Sequence, residues 1–264
     1  MNYSRQLDIY DAENRKDVAY IIGAGATGSW LSLILSKLGF KAIKIFDFDI
    51  IEEHNLPNQF FKNRQVGMLK VSALSKNIAE LGSNPNLEYA SYATKITKEV
   101  EDDTEYVSTY SVNALTNRMY EDMYNGYTVS IFCLVDSMTT RKEIFEELVK
   151  DITIPIEDKD GNKLIAYPRF IETRMGLTGY RIYDIDLGNP KDREEYRKTL
   201  YSDEEAEASA CGTSKSIVST AIQCASHAVG MLLGNLNSID YIPNEVIFDI
   251  QSSVLLTKKF DKGE

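Results

Sequence analysis

Apolar residues in this chain follow two spacings: short unbroken runs, and longer stretches in which they recur every three or four positions. VAYII (residues 18–22) is an unbroken run that stops at glycines, which predicts a buried strand. GSWLSLILSKL (28–38) has helical length and spacing, and KAIKIFD (41–47) alternates and ends in an acid. The order strand, glycine turn, helix, strand predicts a βαβ unit, because parallel strands need a crossover of that kind. Residues 65–82 predict the next helix, closed by Gly82 and an SNPN turn. TVSIFCLVD (128–136) predicts another buried strand, and a helix follows from Thr139 to Lys150.

The pattern changes after the turn signal EDKDGNK (157–163). LIAYPRFIETRMGLTGYRIYDIDL (164–187) alternates in segments broken by glycines, the mark of strands joined by tight turns. NPKDREEYRKTLYSDEEAEASA (189–210) is dense in charge and predicts an exposed helix followed by a mobile acidic loop. An apolar helix over 214–233 and a final strand, EVIFDIQ, complete the pattern. The expectation is one domain over residues 1–264. Residues 1–150 form its nucleotide-binding half, and 151–264 hold an antiparallel extension, the acidic loop and a C-terminal helix. The fold class expected is α/β and Rossmann-like, with a mostly parallel sheet, helices on both faces and the antiparallel C-terminal extension.

Composition narrows the partners. A chain of 264 residues with 43% hydrophobic and 26% charged content can bury a sizeable core. Its 29 basic and 40 acidic residues leave a net charge of -11, which opposes a sequence-independent grip on nucleic acid or anionic lipid. The N-terminal MNYSRQLDIYDAENRKD has no apolar core of the signal-peptide kind, and the longest apolar stretch (18–35) is broken by glycines, Thr27 and two serines. The expectation is a soluble, cytoplasmic protein with neither nucleic acid nor membrane as partner. Three cysteines with no CxxC pair agree with a reducing compartment, and with only two histidines no zinc site is expected.

The turn Gly23-Ala24-Gly25-Ala26-Thr27-Gly28 has GxGxxG spacing directly between a predicted strand and helix. Without side chains such a turn is tight, phosphates approach its amides, and the helix N-terminus faces their charge. Asp47 lies 19 residues after Gly28 at the predicted end of the second strand, where a carboxylate meets a ribose hydroxyl pair. Glycines in such a turn also serve helix–strand packing alone, but both strands and the acid together favour a nucleotide. NAD, FAD and ATP all remain open at this point.

An ordered set of motifs is more specific. YSRQ (3–6), GAGATG (23–28), DFD (47–49), NLPNQ (55–59), a lysine-led helix and LVDSMTTR (134–141) cover most of residues 3–150. In this set the chain resembles the ThiF/MoeB family of ubiquitin-activating-enzyme-like adenylyltransferases, with fainter likeness in ETRMGLTGYRI and the 214–233 helix. The resemblance implies ATP-dependent activation of a carboxylate as an acyl-adenylate with release of pyrophosphate. The typical substrate is the C-terminal glycine of a small ubiquitin-fold or sulfur-carrier protein; a peptide is the other candidate partner.

The resemblance also implies residue roles. Asp47 would bind the ribose, with Asp49, Asn55, Asn58 and the glycine turn lining the nucleotide. Lys70 would meet the phosphates, although by residue type alone it is an ordinary solvated helix lysine. Asp136 would hold Mg2+, or else cap the next helix. Arg141 either takes the role of the family's arginine in that helix or holds the helix in place. Arg5 would reach the ATP of a neighbouring subunit, which implies a homodimer. Asn58 stands where the family pattern NLxRQ has arginine, so one cation is missing unless Lys62 or Arg64 supplies it. Phe60 and Phe61 are expected to anchor this connection to the body.

Cys133 and Cys224 lie in apolar segments and read as core residues. Cys211 follows the acidic loop and precedes a helix N-terminus. It is either the thiol that some relatives use for a thioester step or an ordinary loop cysteine. Two rival readings of the whole chain are a non-catalytic adaptor that binds nucleotide or partner without turnover, and an NAD-dependent oxidoreductase.

Overall fold

The computed structural model describes residues 2–81, 84–98, 108–151, 156–157, 163–164, 167–202 and 216–260. Gly82, Cys211 and the acidic loop from residue 203 lie outside these ranges.

Strand β1 (Asp17–Ile22) is buried along its whole length, as its unbroken apolar run requires of a central parallel strand. It pairs in parallel with β2 (Ala42–Phe46) on one side and β6 (Thr128–Cys133) on the other. Helix α1 (Ala26–Leu38) makes the first crossover and ends at Gly39, whose φ of 94° gives the left-handed C-terminal turn. Helix α2 (Lys70–Glu80) leads to β3 (Glu88–Tyr92), which pairs in parallel with β2. The short parallel pair β4 (Thr94–Thr97) and β5 (Ser108–Ser111) precedes α3 (Val112–Tyr124), and α4 (Met138–Asp151) follows β6. A two-stranded pair, β7 (Ile156–Glu157) with β8 (Lys163–Leu164), comes next.

Strand β9 (Arg169–Met175) adds to β6 in parallel, and β10 (Gly179–Asp186) turns back against it. Helices α5 (Pro190–Arg197) and α6 (Val218–Leu236) precede an antiparallel hairpin of β11 (Glu245–Asp249) and β12 (Val254–Lys258). The eight-stranded sheet has the order β12-β11-β10-β9-β6-β1-β2-β3. This is the Rossmann-like α/β arrangement with an antiparallel C-terminal end. Alternate β1 residues feed two cores. Ala19 and Ile21 pack with residues of α1, α2 and α6 on one face. Val18, Tyr20 and Ile22 pack with α3, α4 and α5 on the other.

Several boundaries differ from the sequence reading. The helix expected from residue 65 begins at Lys70; Asn63–Gln65 is a separate 3-10 turn, and Gly67 at φ 84° breaks the path between them. The strand expected over 128–136 ends at Cys133, so Leu134 to Ser137 form a turn. Helix α5 is not simply exposed: Asp192 and Tyr196 are buried. EVIFDIQ is not the last strand, because Asp249 accepts the Ser252 amide at 2.8 Å in a turn that starts β12. The apolar helix starts at Val218 and runs on to Leu236.

Candidate active site

The C-terminal ends of three strands lie in register: Ile22 is opposite Phe46 on one side and Cys133 on the other. Because the chain leaves β1 toward β2 and β3 and later returns to the opposite flank at β6, strand order reverses here. Open α/β sheets bind ligands at such a crevice. The connections after β1, β2 and β6 therefore meet at one edge.

The three glycines do different work. Gly23 has φ 106°, and a Cβ on it would stand 2.8 Å from the Leu134 carbonyl oxygen, so the glycine turn and the turn after β6 are pressed together. A Cβ on Gly28 would stand 1.9 Å from the Gly23 carbonyl oxygen, which is the close approach of α1 to β1. A Cβ on Gly25 would meet nothing within 4 Å. Gly23 and Gly28 are thus required by the fold, whereas the bare backbone of Gly25 leaves room for a ligand at the start of α1. Ala24 is buried, while Ala26 and Thr27 form the first turn of the helix, with the Thr27 hydroxyl 3.9 Å from Met175 Sδ.

Asp47 closes this turn. Its Oδ2 accepts the Ala24 amide at 2.6 Å and its Oδ1 accepts the Asp49 amide at 2.8 Å. Each carboxylate oxygen has a further lone pair, which suits a vicinal diol. Burial pushes the Asp47 carboxyl above the usual range, with Lys70 and the two amides pulling it back. Lys70, the first residue of α2, is 7% exposed rather than solvated. Its Nζ is 2.7 Å from Asp49 Oδ2, and its amide donates to the Asp49 carbonyl at 2.9 Å. A cation at a helix N-terminus opposes the helix dipole. Its placement there makes sense when an anion is to be met.

The connection after Asp49 is anchored to the body. Asn55 is buried and its Oδ1 accepts the Glu52 amide at 2.9 Å. The Phe60 ring packs on Trp30 with centroids 4.9 Å apart, the Phe60 amide donates to Ser29 Oγ, and Asn77 Nδ2 donates to the Phe60 carbonyl. Phe61 packs against the same core. Asn58 is engaged elsewhere: its Nδ2 donates to Ser216 Oγ at 2.6 Å, and its carbonyl accepts the Trp30 indole N–H at 3.0 Å. Lys62 and Arg64 do not replace the missing arginine in this arrangement, since both pair with Glu80 at the end of α2.

Asp136 sits on the turn after β6, exposed and without a hydrogen bond or ion pair among the described residues. Ser137, not Asp136, caps α4, with its Oγ accepting the Thr140 amide at 3.1 Å. That leaves Asp136 as an unpartnered hard oxygen donor beside the glycine turn. A single carboxylate fits Mg2+, which keeps several waters and binds the remaining positions through substrate phosphates. Among the described residues no group of three or more His, Cys, Asp or Glu could hold a metal by itself. Arg141 is buried and donates to the carbonyls of Val135 and Thr173, so it holds the turn and the helix in place.

Arg5 is exposed, and no hydrogen bond or ion pair joins it to the glycine turn, Asp47 or Lys70. Cys133 and Cys224 are buried, and burial pushes both thiols up to about 12, which makes them inert near neutral pH. Cys211 lies outside the described residues. Among those residues no helix is long and apolar enough to cross a membrane. Sequence reasoning missed the Ser216 partner of Asn58 and the buried pair Glu172 and Arg174 of β9. The second had a signal: charges two apart share one face of a strand.

Comparison with known proteins agrees with this geometry. The sequence profile of the ThiF family matches residues 3–250. Ubiquitin-like modifier-activating enzyme 5 of Arabidopsis thaliana is 33% identical over 91 residues, 34% of this chain and 20% of that protein. The Bombyx mori protein of the same name is 30% identical over 107 residues, 40% of this chain and 26% of that protein. The matched stretch is thus a fifth to about a quarter of these relatives' length. The crystal structure of PaaA superposes with a TM-score of 0.62 at 16% identity, covering 98% of this chain and 82% of that one. Escherichia coli MccB, crystallised with AMPCPP and MccA, gives 0.62 at 14% identity, covering 100% and 68%. At such identities the likeness speaks for the fold, and the profile match over nearly the whole sequence settles the family: the chain belongs to the ThiF family.

Proposed function

We propose that this chain is an ATP-dependent adenylyltransferase. The observation that carries the reading is the meeting of Gly25, Asp47, Lys70 and Asp136 in three adjacent connections at the strand-order reversal. Each suits one part of ATP: an open backbone, ribose acceptors, a buried cation paired with a half-exposed acid, and a carboxylate unpaired among the described residues.

The reaction needs little covalent help from the protein. A substrate carboxylate, already ionised near neutral pH, attacks the α-phosphorus; the new C–O–P bond forms as the bond to the β-phosphate oxygen breaks, and pyrophosphate leaves. No general base is required. Gly25 and the amides at the start of α1 cradle the phosphates, Asp47 fixes the ribose, and Lys70 turns from Asp49 to offset the charge that grows on the leaving group. Mg2+, held by Asp136 and the phosphates, supplies further charge neutralisation when bound.

The names of the relatives support a substrate class. Curated relatives are named as activators of ubiquitin-like modifiers, and MccB was crystallised with MccA. We extend this to the C-terminal carboxylate of a small ubiquitin-like or sulfur-carrier protein, or of a peptide. In the same reading the protein works in the cytoplasm as a homodimer in which Arg5 serves the neighbouring site. Sedimentation that shows only monomer under assay conditions removes that role. A subsequent thioester step would fall to Cys211, whose thiolate would take the acyl group from the adenylate as AMP leaves, and loss of acyl transfer to the thiol in Cys211→Ser is its test.

Magnesium-dependent exchange of labelled pyrophosphate into ATP, stimulated by a candidate substrate, tests the reaction. Asp136→Ala is expected to lower the exchange by about a hundredfold or more, the usual cost of losing one charge-stabilising group. The engagement of Asn58 with Ser216 favours a second reading, an adaptor that binds ATP without turnover. Tight ATP binding with no exchange for any carboxylate substrate decides for the adaptor.

A further inference from the structure

A charged cluster beneath the Asp136 turn takes no part in the chemistry above. Glu172 is fully buried, and Arg141 and Arg174 are 5% and 3% exposed. Arg141 Nε stands 2.8 Å from Glu172 Oε1, an ion pair outside hydrogen-bond angles. Arg174 Nε donates to both Glu172 oxygens, at 3.2 and 3.0 Å, and the Tyr196 hydroxyl donates to Oε2 at 3.3 Å.

Each arginine also grips a separate piece of chain. Arg141 donates to the carbonyl of Val135, the residue before Asp136. Arg174 donates to the Thr199 carbonyl at 2.8 Å and to Thr199 Oγ1 at 3.0 Å, and its guanidinium lies over the rings of Tyr183 and Tyr201. Burying three charges is a poor way to gain stability, because well-packed apolar side chains do as well or better. It is a good way to fix directions. A planar guanidinium that serves a carboxylate and a carbonyl together has few acceptable orientations, and a carboxylate shared by two such groups relates one to the other.

We propose that Glu172 is a positioning residue which makes Arg141 and Arg174 one unit, so that the placement of residues 199–201 sets the placement of the Asp136 turn. The coupling would tune how well Asp136 meets Mg2+ and phosphate; that consequence rests on the adenylation reading, whereas the mechanical coupling does not.

Arg174→Lys is the informative variant. It keeps the charge, loses the planar fork, and Arg174 makes no hydrogen bond to residues 134–137. Amide hydrogen exchange of the unliganded protein is expected to speed up about tenfold at 134–137 as well as at 199–201, with β1 and β2 unchanged. A rise confined to 199–201 overturns the proposal. If the lysine variant does not fold, Thr199→Ala at its half-buried position replaces it, with about a threefold rise at 134–137 expected and no rise there overturning the proposal. In Mg2+ titrations of ATP binding, the concentration for half effect is expected to rise about tenfold in Arg174→Lys, with the affinity for metal-free ATP within about twofold. An unchanged Mg2+ requirement overturns the functional consequence. A wild-type chain that binds no ATP counts against the adenylation reading, and the exchange rates then still decide the coupling.

Discussion

Lys70→Met is expected to lower substrate-dependent ATP–pyrophosphate exchange by about 10²–10³-fold, the loss that follows removal of one preorganised group facing developing charge. Stability should change by less than about 1 kcal/mol, because the partner Asp49 is half exposed and solvent screens the pair. Removing a cation from the N-terminus of α2 also relieves an unfavourable dipole interaction. Methionine keeps the apolar stem in place, so packing is conserved. The split is the informative part: a large loss of exchange without a large loss of melting temperature marks Lys70 as held for a ligand. A variant that unfolds, or one that exchanges at the wild-type rate, contradicts that role. Steady-state exchange together with differential scanning calorimetry reads both quantities.

The glycine turn separates fold from binding even more sharply. In Gly28→Ala the new methyl carbon would stand 1.9 Å from the Gly23 carbonyl oxygen, so α1 must move off β1. The expected cost is about 3 kcal/mol or more, at the upper end for overpacked sites. In Gly25→Ala the methyl meets no protein atom within 4 Å, and at φ -75° the backbone needs no left-handed conformation, so folding stability should change little. Yet that methyl occupies the approach of the phosphates to the amides. Losing one or two charge-assisted hydrogen bonds predicts about a hundredfold weaker ATP binding. Urea denaturation and calorimetric titration of the two variants should therefore rank them in opposite orders. Equal ranking in both measurements contradicts the assignment of Gly25 to the ligand.

The βαβ unit and the glycine turn were legible in the sequence because their causes are local. An apolar run, a turn that only glycine can make and an acid at the next strand end each act within a few residues. Long-range chain path decided the rest. Asp136 was open to two readings, metal ligand or helix cap; the cap is Ser137, and Asp136 has no hydrogen bond or ion pair among the described residues. Asn58 looked like a missing cation, but its amide is held by Ser216, 158 residues away, which no spacing rule reveals. Only the family resemblance set Lys70 apart from an ordinary solvated lysine, since nothing local announces that it is buried and paired with Asp49. Glu172 and Arg174 drew no separate reading, because alternation within a strand does not say that both of its faces are buried. Glu172 tolerates burial because Arg174 and Arg141 both supply its counter-charge, and Arg174 because Glu172 supplies the opposite one.

Nucleotide binding by the connections after β1, β2 and β6 underlies all of these expectations. A crystal structure of the chain with AMPCPP and Mg2+ tests it most directly. Ribose hydroxyls are expected on Asp47, phosphates over Gly25, and Lys70 Nζ moved from Asp49 to a phosphate oxygen. Density for the analogue elsewhere, with the glycine turn empty and the Lys70–Asp49 pair intact, would contradict it.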